Sequence, residues 1–320
     1  MLKLALALLT AAEGPIPGRA YIFQEQRTMA SSRLKVSSAL VTPAIGFLCL
    51  ATFVPIAAVA ALSFGDFNIA FPEKTRFIGL YNYARFLSDG RFINAALVTF
   101  ILVVVPVGLQ LLCGLALAIA LKEKLVGTRW MKAAFLLPSV VPPAVGGIVW
   151  KLFLIPGVGG LSYLASLFGH NFEADLLGSK TSALVSVIIV SSWFGVPIVA
   201  LLLLSSLDSI PDEIYEAANL DGANWAQAQW YISIPLVLPA MGAVAVFQAL
   251  EVLGIFPVIF VLTGGGPAGA TEPLNFYAFL TAFTYLDLDY SAAILVAFTT
   301  TIVGVCFWSI RQISAARVGR

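Results

Sequence analysis

Six stretches of this chain, each at or near 20 residues or longer, carry no charged side chain, and that feature excludes most folds. They run over 36–65, 92–121, 133–150, 181–207, 252–271 (extending back past Glu251 to about Leu236) and 290–310. A helix crosses the hydrocarbon core of a bilayer with about 20 mostly apolar residues. Backbone groups find no water there, so each run is expected as a helix and not as an open strand. A transmembrane β-barrel would show short alternating segments instead. With 60% of its 320 residues apolar and 11% charged, the chain is not an ordinary soluble domain. Expected spans are Ser38–Ser63, Asn94–Leu121, Ala133–Phe153, Thr181–Leu204, Leu236–Leu262 and Ser291–Ile310.

Charge sorts by side. With the N-terminus inside, Arg19, Arg27, Arg33, Lys35, Lys122, Lys124, Arg129, Lys132, Arg311, Arg317 and Arg320 all fall inside. Only Lys74, Arg76, Arg85, Arg91, Lys151 and Lys180 fall outside, which places both termini in the cytoplasm by the positive-inside rule. The aromatic-rich outer loop, with Phe71, Phe77, Tyr81, Tyr83 and Phe86, reads as an interfacial belt or as a docking surface for an external partner. Residues 1–37 form a cytoplasmic extension, 38–310 the membrane domain and 311–320 a tail. The apolar Leu4–Ala12 is too short to span, and Met29 reads as a natural start.

One inner loop breaks the charge rule. Ser205–Pro239 holds Asp208, Asp212, Glu213, Glu216 and Asp221 and neither Lys nor Arg. A segment lying on anionic inner-leaflet lipid would favour bases, so the acids point to a protein partner. Ser209 is expected to cap a short helix with Asp212 and Glu213 in its first turn. Gly222 supplies a left-handed turn, Asp221 caps a second short helix over Ala223–Ile232, and Pro235 and Pro239 lead back into the membrane. The expected shape is an L of two short helices.

Glu216-Ala217-Ala218-x-x-Asp221-Gly222-Ala223, with Ile234-Pro235 downstream, resembles the EAA loop of bacterial ABC importer permeases. Phe135-Leu-Leu-Pro138, Trp150, Leu262-Thr-Gly-Gly-Gly-Pro267, Thr271-Glu272 and Phe77–Tyr83 are similar, in order, to the carbohydrate-uptake branch and to its first permease subunit. The resemblance spans most of 40–310. It implies an all-α membrane protein of type I importer architecture, with six transmembrane helices and a cytoplasmic coupling loop over 205–239. Implied partners are a homologous second permease in a heterodimer, two ATPase subunits holding ATP and Mg, and an extracytoplasmic solute-binding protein. Glu216, Ala217, Ala218, Asp221, Gly222, Ala223 and Pro235 are the implied coupling residues. The carbohydrate or polyol would cross by alternating access, in the bacterial inner membrane. Asn219 and Phe256-Pro257 depart from the family pattern, which often has a base and an acid there.

Glu251 is a carboxyl inside a span, and such groups are functional hypotheses by default. Gln248 lies one turn away on the same face, and Gln110, Ser192 and Trp193 are weaker solute contacts. Bonding to the second permease is an equal alternative for Glu251. A secondary transporter driven by an ion gradient would show discontinuous repeats and several intramembrane ionisable groups, where only Glu251 is visible. The chain has no GxxxxGK[ST] loop, so energy comes from another polypeptide. His170 is the only histidine, Cys49, Cys113 and Cys306 lie in apolar runs, and no metal or catalytic set is expected. Nucleic acid is not an expected partner.

Overall fold

The computed structural model describes residues 41–67, 75–123 and 135–318. The expected extension 1–37 and most of the inner basic residues lie outside the described residues. Val41–Leu62 forms helix α1, with mean hydropathy 2.4. Among the described residues, those up to Ala58 form one unit and those from Val59 onward another.

In the second unit, a two-residue ribbon pairs β1 (Gly65–Asp66) antiparallel with β2 (Arg76–Phe77). There follow α2 (Tyr81–Arg85), α3 (Gly90–Lys122), α4 (Pro143–Phe153), α5 (Gly160–Leu167), α6 (Lys180–Asp208), α7 (Asp212–Leu220), α8 (Trp225–Leu253), α9 (Phe256–Leu262), α10 (Leu274–Phe283) and α11 (Leu288–Val318). Among the described residues, α1, α3, α6, α8 and the 288–307 part of α11 are the five helices long and apolar enough to cross a membrane. This is an all-helical membrane protein.

Two expected spans are corrected by proline chemistry. The third span is not one helix over 133–153. It is helical over 135–140, opens at 141–142, and restarts with Pro143 in the first turn of α4. Each residue before a proline is pushed out of the α region, so Val141 and Pro142 cannot continue a helix. The fifth span does not run on to Leu262 either. Pro257 has no N–H for the Leu253 carbonyl, so α8 ends at Leu253, with Gly254 as its C-cap, and α9 starts afresh. The freed Leu253 oxygen accepts a hydrogen bond from Asn275 Nδ2 at 2.9 Å. Helix α10, at ten residues too short to span, has no counterpart among the expected elements.

Helices α3, α6 and α8 build the core in layers. Towards the Lys122 end, Leu115, Ala118 and Leu121 pack with Val199, Leu203, Leu207, Val237 and Val244. Towards the other end, Val98 and Leu102 pack with Val187, Val190, Val258, Ile259 and Phe276. Gly114 lets α3 and α6 touch, since a Cβ there would lie 2.5 Å from Val199 Cγ1.

The Gly90 end is closed by a polar clamp. Arg91 binds Glu272 through two nitrogens, at 2.7 and 2.8 Å, and Tyr285 at 2.6 Å. Tyr277 and Tyr290 both donate to Asp89 Oδ2 at 2.6 Å, joining the α3 N-cap to α10 and α11. Arg85 pairs with Asp287 at 2.8 Å. Partial burial alone would raise the Asp89 carboxyl. The two tyrosine hydroxyls and the Phe92 and Arg91 amides outweigh it and hold it below the usual carboxylate range. A depressed carboxyl stabilises the fold above its unfolded pKa, about 4, and that stabilisation is lost as pH falls through the lower folded value. Thermal unfolding of the purified chain across acid pH should therefore show a shallower acid loss of stability in Asp89→Asn than in the parent.

Candidate functional site

The acidic island folds as an elbow. Helix α6 ends at Asp208, α7 follows, and the chain turns through Asp221–Gly222 into α8. Asp221, Gly222 and Ala223 amides bond back to Ala217, Asn219 and Ala218 carbonyls, at 3.0, 3.1 and 2.9 Å. Gly222 has φ +82°, so the turn is left-handed as its glycine implied.

The caps differ from expectation. Pro211 occupies the N-cap of α7 without a side-chain bond, and Ser209 Oγ instead donates to Ser206 O at 2.6 Å. Asn224, not Asp221, caps the next helix. Its Oδ1 accepts from Gln227 N at 2.9 Å while Gln227 Oε1 accepts from Asn224 N at 2.8 Å. Nor is there a second short helix. Trp225 starts α8, which passes through a π-turn at Gln229–Ser233 straight into the span. Pro235 lacks an N–H, and the Ile234 amide reaches Gln229 O five residues back, so the helix widens where a break was expected.

Glu216, Ala217, Asp221 and Gly222 lie exposed on the elbow, with Ala218 and Ala223 half-buried beside them. Pro235 sits apart, on α8 beyond the π-turn. Among the described residues no hydrogen-bond or ion-pair partner meets Glu216. Exposed Ile214, Leu220, Trp225 and Trp230 surround these acids with apolar surface.

A second constellation lies between the two apolar layers. Gln248, 1% exposed, donates to Gln110 Oε1 at 3.1 Å and to Gly195 O at 3.3 Å, while Gln110 donates to Ser191 O at 3.1 Å. Gly195 is required by this packing, because a Cβ there would fall 2.4 Å from Gln110 Cδ. Gln248 Oε1 is buried without a partner. A cavity of about 270 Å3 borders these groups, lined also by Ser139, Ser191, Phe194 and Glu251. Of the expected solute contacts, Gln110, Gln248 and Glu251 come together. Neither Ser192 nor Trp193 lines the cavity; Ser192 Oγ donates to Ile188 O at 2.8 Å and Trp193 packs on Trp150 at 5.7 Å. Ser139, Ser191 and Gly195 were missed, although Ser191 and Gly195 share one helical face with their four-residue spacing.

Residues 110–320 match the model of the family described as "binding-protein-dependent transport system inner membrane component". The chain belongs to this family. It is thus a multi-pass inner-membrane permease, a transport component and not an enzyme. Over 237 residues it is 34% identical to the trehalose/maltose transport system permease protein MalF of Thermococcus litoralis, covering 74% of this chain and 78% of that one. It is 31% identical to the trehalose permease SugA of Mycobacterium tuberculosis, covering 91% and 92%. It is 30% identical to the sn-glycerol-3-phosphate permease UgpA of Agrobacterium fabrum, covering 76% and 82%. Its fold is similar to a chain of a bacterial ABC transporter that imports the polysaccharide alginate, with TM-score 0.75 and 18% identity over 91% of this permease and 99% of that chain.

At Gly222 an added Cβ meets nothing within 4 Å, so a substitution there tests backbone conformation alone. Gly222→Ala should lower the opening free energy of the Ala223 amide by about 1–2 kcal/mol in hydrogen exchange, and Gly222→Asn by less.

Proposed function

We propose that this permease is one half of an ATP-driven importer for a neutral, hydroxyl-rich solute, a sugar or related polyol. A homologous permease completes the pathway, an external binding protein delivers solute, and two ATPase subunits carry ATP and Mg beneath. Both termini then face the cytoplasm. The sixth span is the segment from 135 through α4, which joins the five long helices.

The observation that carries this reading is the elbow. Helix α7 is an acidic, almost fully exposed helix at the end of a membrane bundle, with Glu216 outward and apolar side chains around it. A groove lined with bases on an ATPase complements that surface, and ATP binding to one of two global states would move the elbow. Glu216→Lys should abolish uptake by the assembled importer in membrane vesicles while the subunit still inserts and assembles. Uptake at the parent rate would sink the proposal.

The solute class is argued from the cavity together with the relatives, which include carriers of trehalose, maltose and sn-glycerol-3-phosphate. Its lining holds amides, hydroxyls and the Glu251 carboxyl, and no Lys, Arg or His. Neutral hydroxyls can donate to the open Gln248 Oε1, whereas a phosphate ester would meet a carboxyl and no counter-charge. A lost neutral hydrogen bond is worth about 0.5–1.5 kcal/mol. Gln248→Leu should therefore raise the KM for uptake of trehalose or maltose by up to about tenfold.

A further inference from the structure

Helix α7 has no buried residue, and only Tyr215 and Ala218 are even partly covered. Tyr215 is the α7 side chain that joins the apolar layer at the Lys122 end of the bundle. Its ring lies under Lys122 of α3, with the ammonium 4.2 Å from the ring centre. The same ammonium donates to the Leu207 carbonyl of α6 at 3.0 Å. Helix α6 has no base in its own last turn, so Lys122 supplies the cation that a helix C-terminus favours. The Tyr215 hydroxyl shares a 2.9 Å hydrogen bond with Ser233, which is fully buried within the π-turn of α8. One side chain therefore ties α7 to α3 and α8 directly, and to α6 through a lysine.

We propose that Tyr215, held by Lys122 and Ser233, is the positioning residue through which movement of α7 reaches the three core helices. This rests on the reading of α7 as the element that an ATPase grips. The elbow is stiff inside itself, through the Gly222 turn and the Asn224–Gln227 capping box. A push on the Glu216 face therefore turns α7 as one piece. Among the described residues, and apart from the two chain connections, Tyr215 is the α7 side chain that reaches the core helices and so resists swinging of α7 against a still bundle. With the pin in place the push loads α3, α6 and α8 together. Without it ATP is hydrolysed and the helices around the cavity respond weakly.

Hydrogen exchange on the assembled importer tests this with ATP, Mg and orthovanadate as the only added ligands. In the parent, trapping with vanadate should change the exchange of α8 amides near Gln248. Tyr215→Phe, Lys122→Met and Ser233→Ala should each speed exchange over 212–220 by about tenfold. Each should shrink the ATP-driven change near Gln248 while ATP hydrolysis persists, and Lys122→Arg should restore it. Unchanged exchange over 212–220 overturns the proposal. So does a full response near Gln248 in the three variants, or loss of the assembled complex in all three, which a merely structural anchor would produce. Glu216→Lys is read alongside. If it leaves the ATP response intact, the docking role of α7 fails. If it removes the response while the three variants keep theirs, the pin alone fails.

Discussion

Every backbone carbonyl freed inside this bundle must find a donor within the protein, because hydrocarbon offers none and an orphan group costs several kcal/mol. That constraint explains where the chain departs from simple spans. Pro257 releases the Leu253 oxygen, and Asn275, at the start of α10, comes back to bind it. The helix break is thus possible only because a later segment returns to it. The loop between α9 and α10 closes on itself in the same way, with Thr271 Oγ1 lying 2.8 Å from both the Gly266 carbonyl and the Thr263 hydroxyl. Glu272 then binds Arg91, so the return of the chain is fastened to the start of α3.

The same constraint acts on side chains. Gln110 and Gln248 place two amides between apolar layers, and nearly all of their hydrogen-bonding groups are matched by Ser191, Gly195 and one another. The exception is the buried Gln248 Oε1, on a residue that lines the cavity. A buried acceptor left open beside a space is unfavourable in the empty protein and favourable for a ligand that donates to it. The cavity and its open acceptor belong to one arrangement, with α3, α6 and α8 held close by Gly195 and Gly114.

How much of this could be read from sequence follows from which forces act locally. Uncharged length marks the long helices, since burial in lipid depends on composition over about 20 residues. Gly222 announced its turn because few residues adopt a left-handed backbone. The caps were misassigned because Ser209, Asp221 and Asn224 all have capping chemistry, and neighbouring geometry chooses among them. Pro235 reads as a breaker in isolation, yet a π-turn absorbs it. Trp193 and Ser192 were weighed with Gln110 as solute contacts, but one register step on α6 puts Ser191 in the cavity lining and leaves Ser192 out of it, although both hydroxyls bond their own helix backbone. Long-range pairs such as Lys122 with Tyr215, or Asp89 with Tyr290, have no local signature at all.

Helix α8 connects the two functional regions physically. It runs from Trp225 at the elbow to Leu253 beside the cavity without interruption, the π-turn widening it but not ending it. Trp225 and Gln248 are separated along it by roughly 35 Å at 1.5 Å per residue. The rod begins at the elbow and near its other end carries Gln248, paired with Gln110. Interdigitated layers shift between discrete arrangements and do not deform smoothly. Val237 and Val244 lock α8 against α3 and α6 between those points, so α8 cannot tilt without repacking that layer. Trp225 at the elbow and Gln248 of the cavity lining therefore lie on one continuous helix. The length of α8, and not the charge of the loop alone, links the elbow to the cavity.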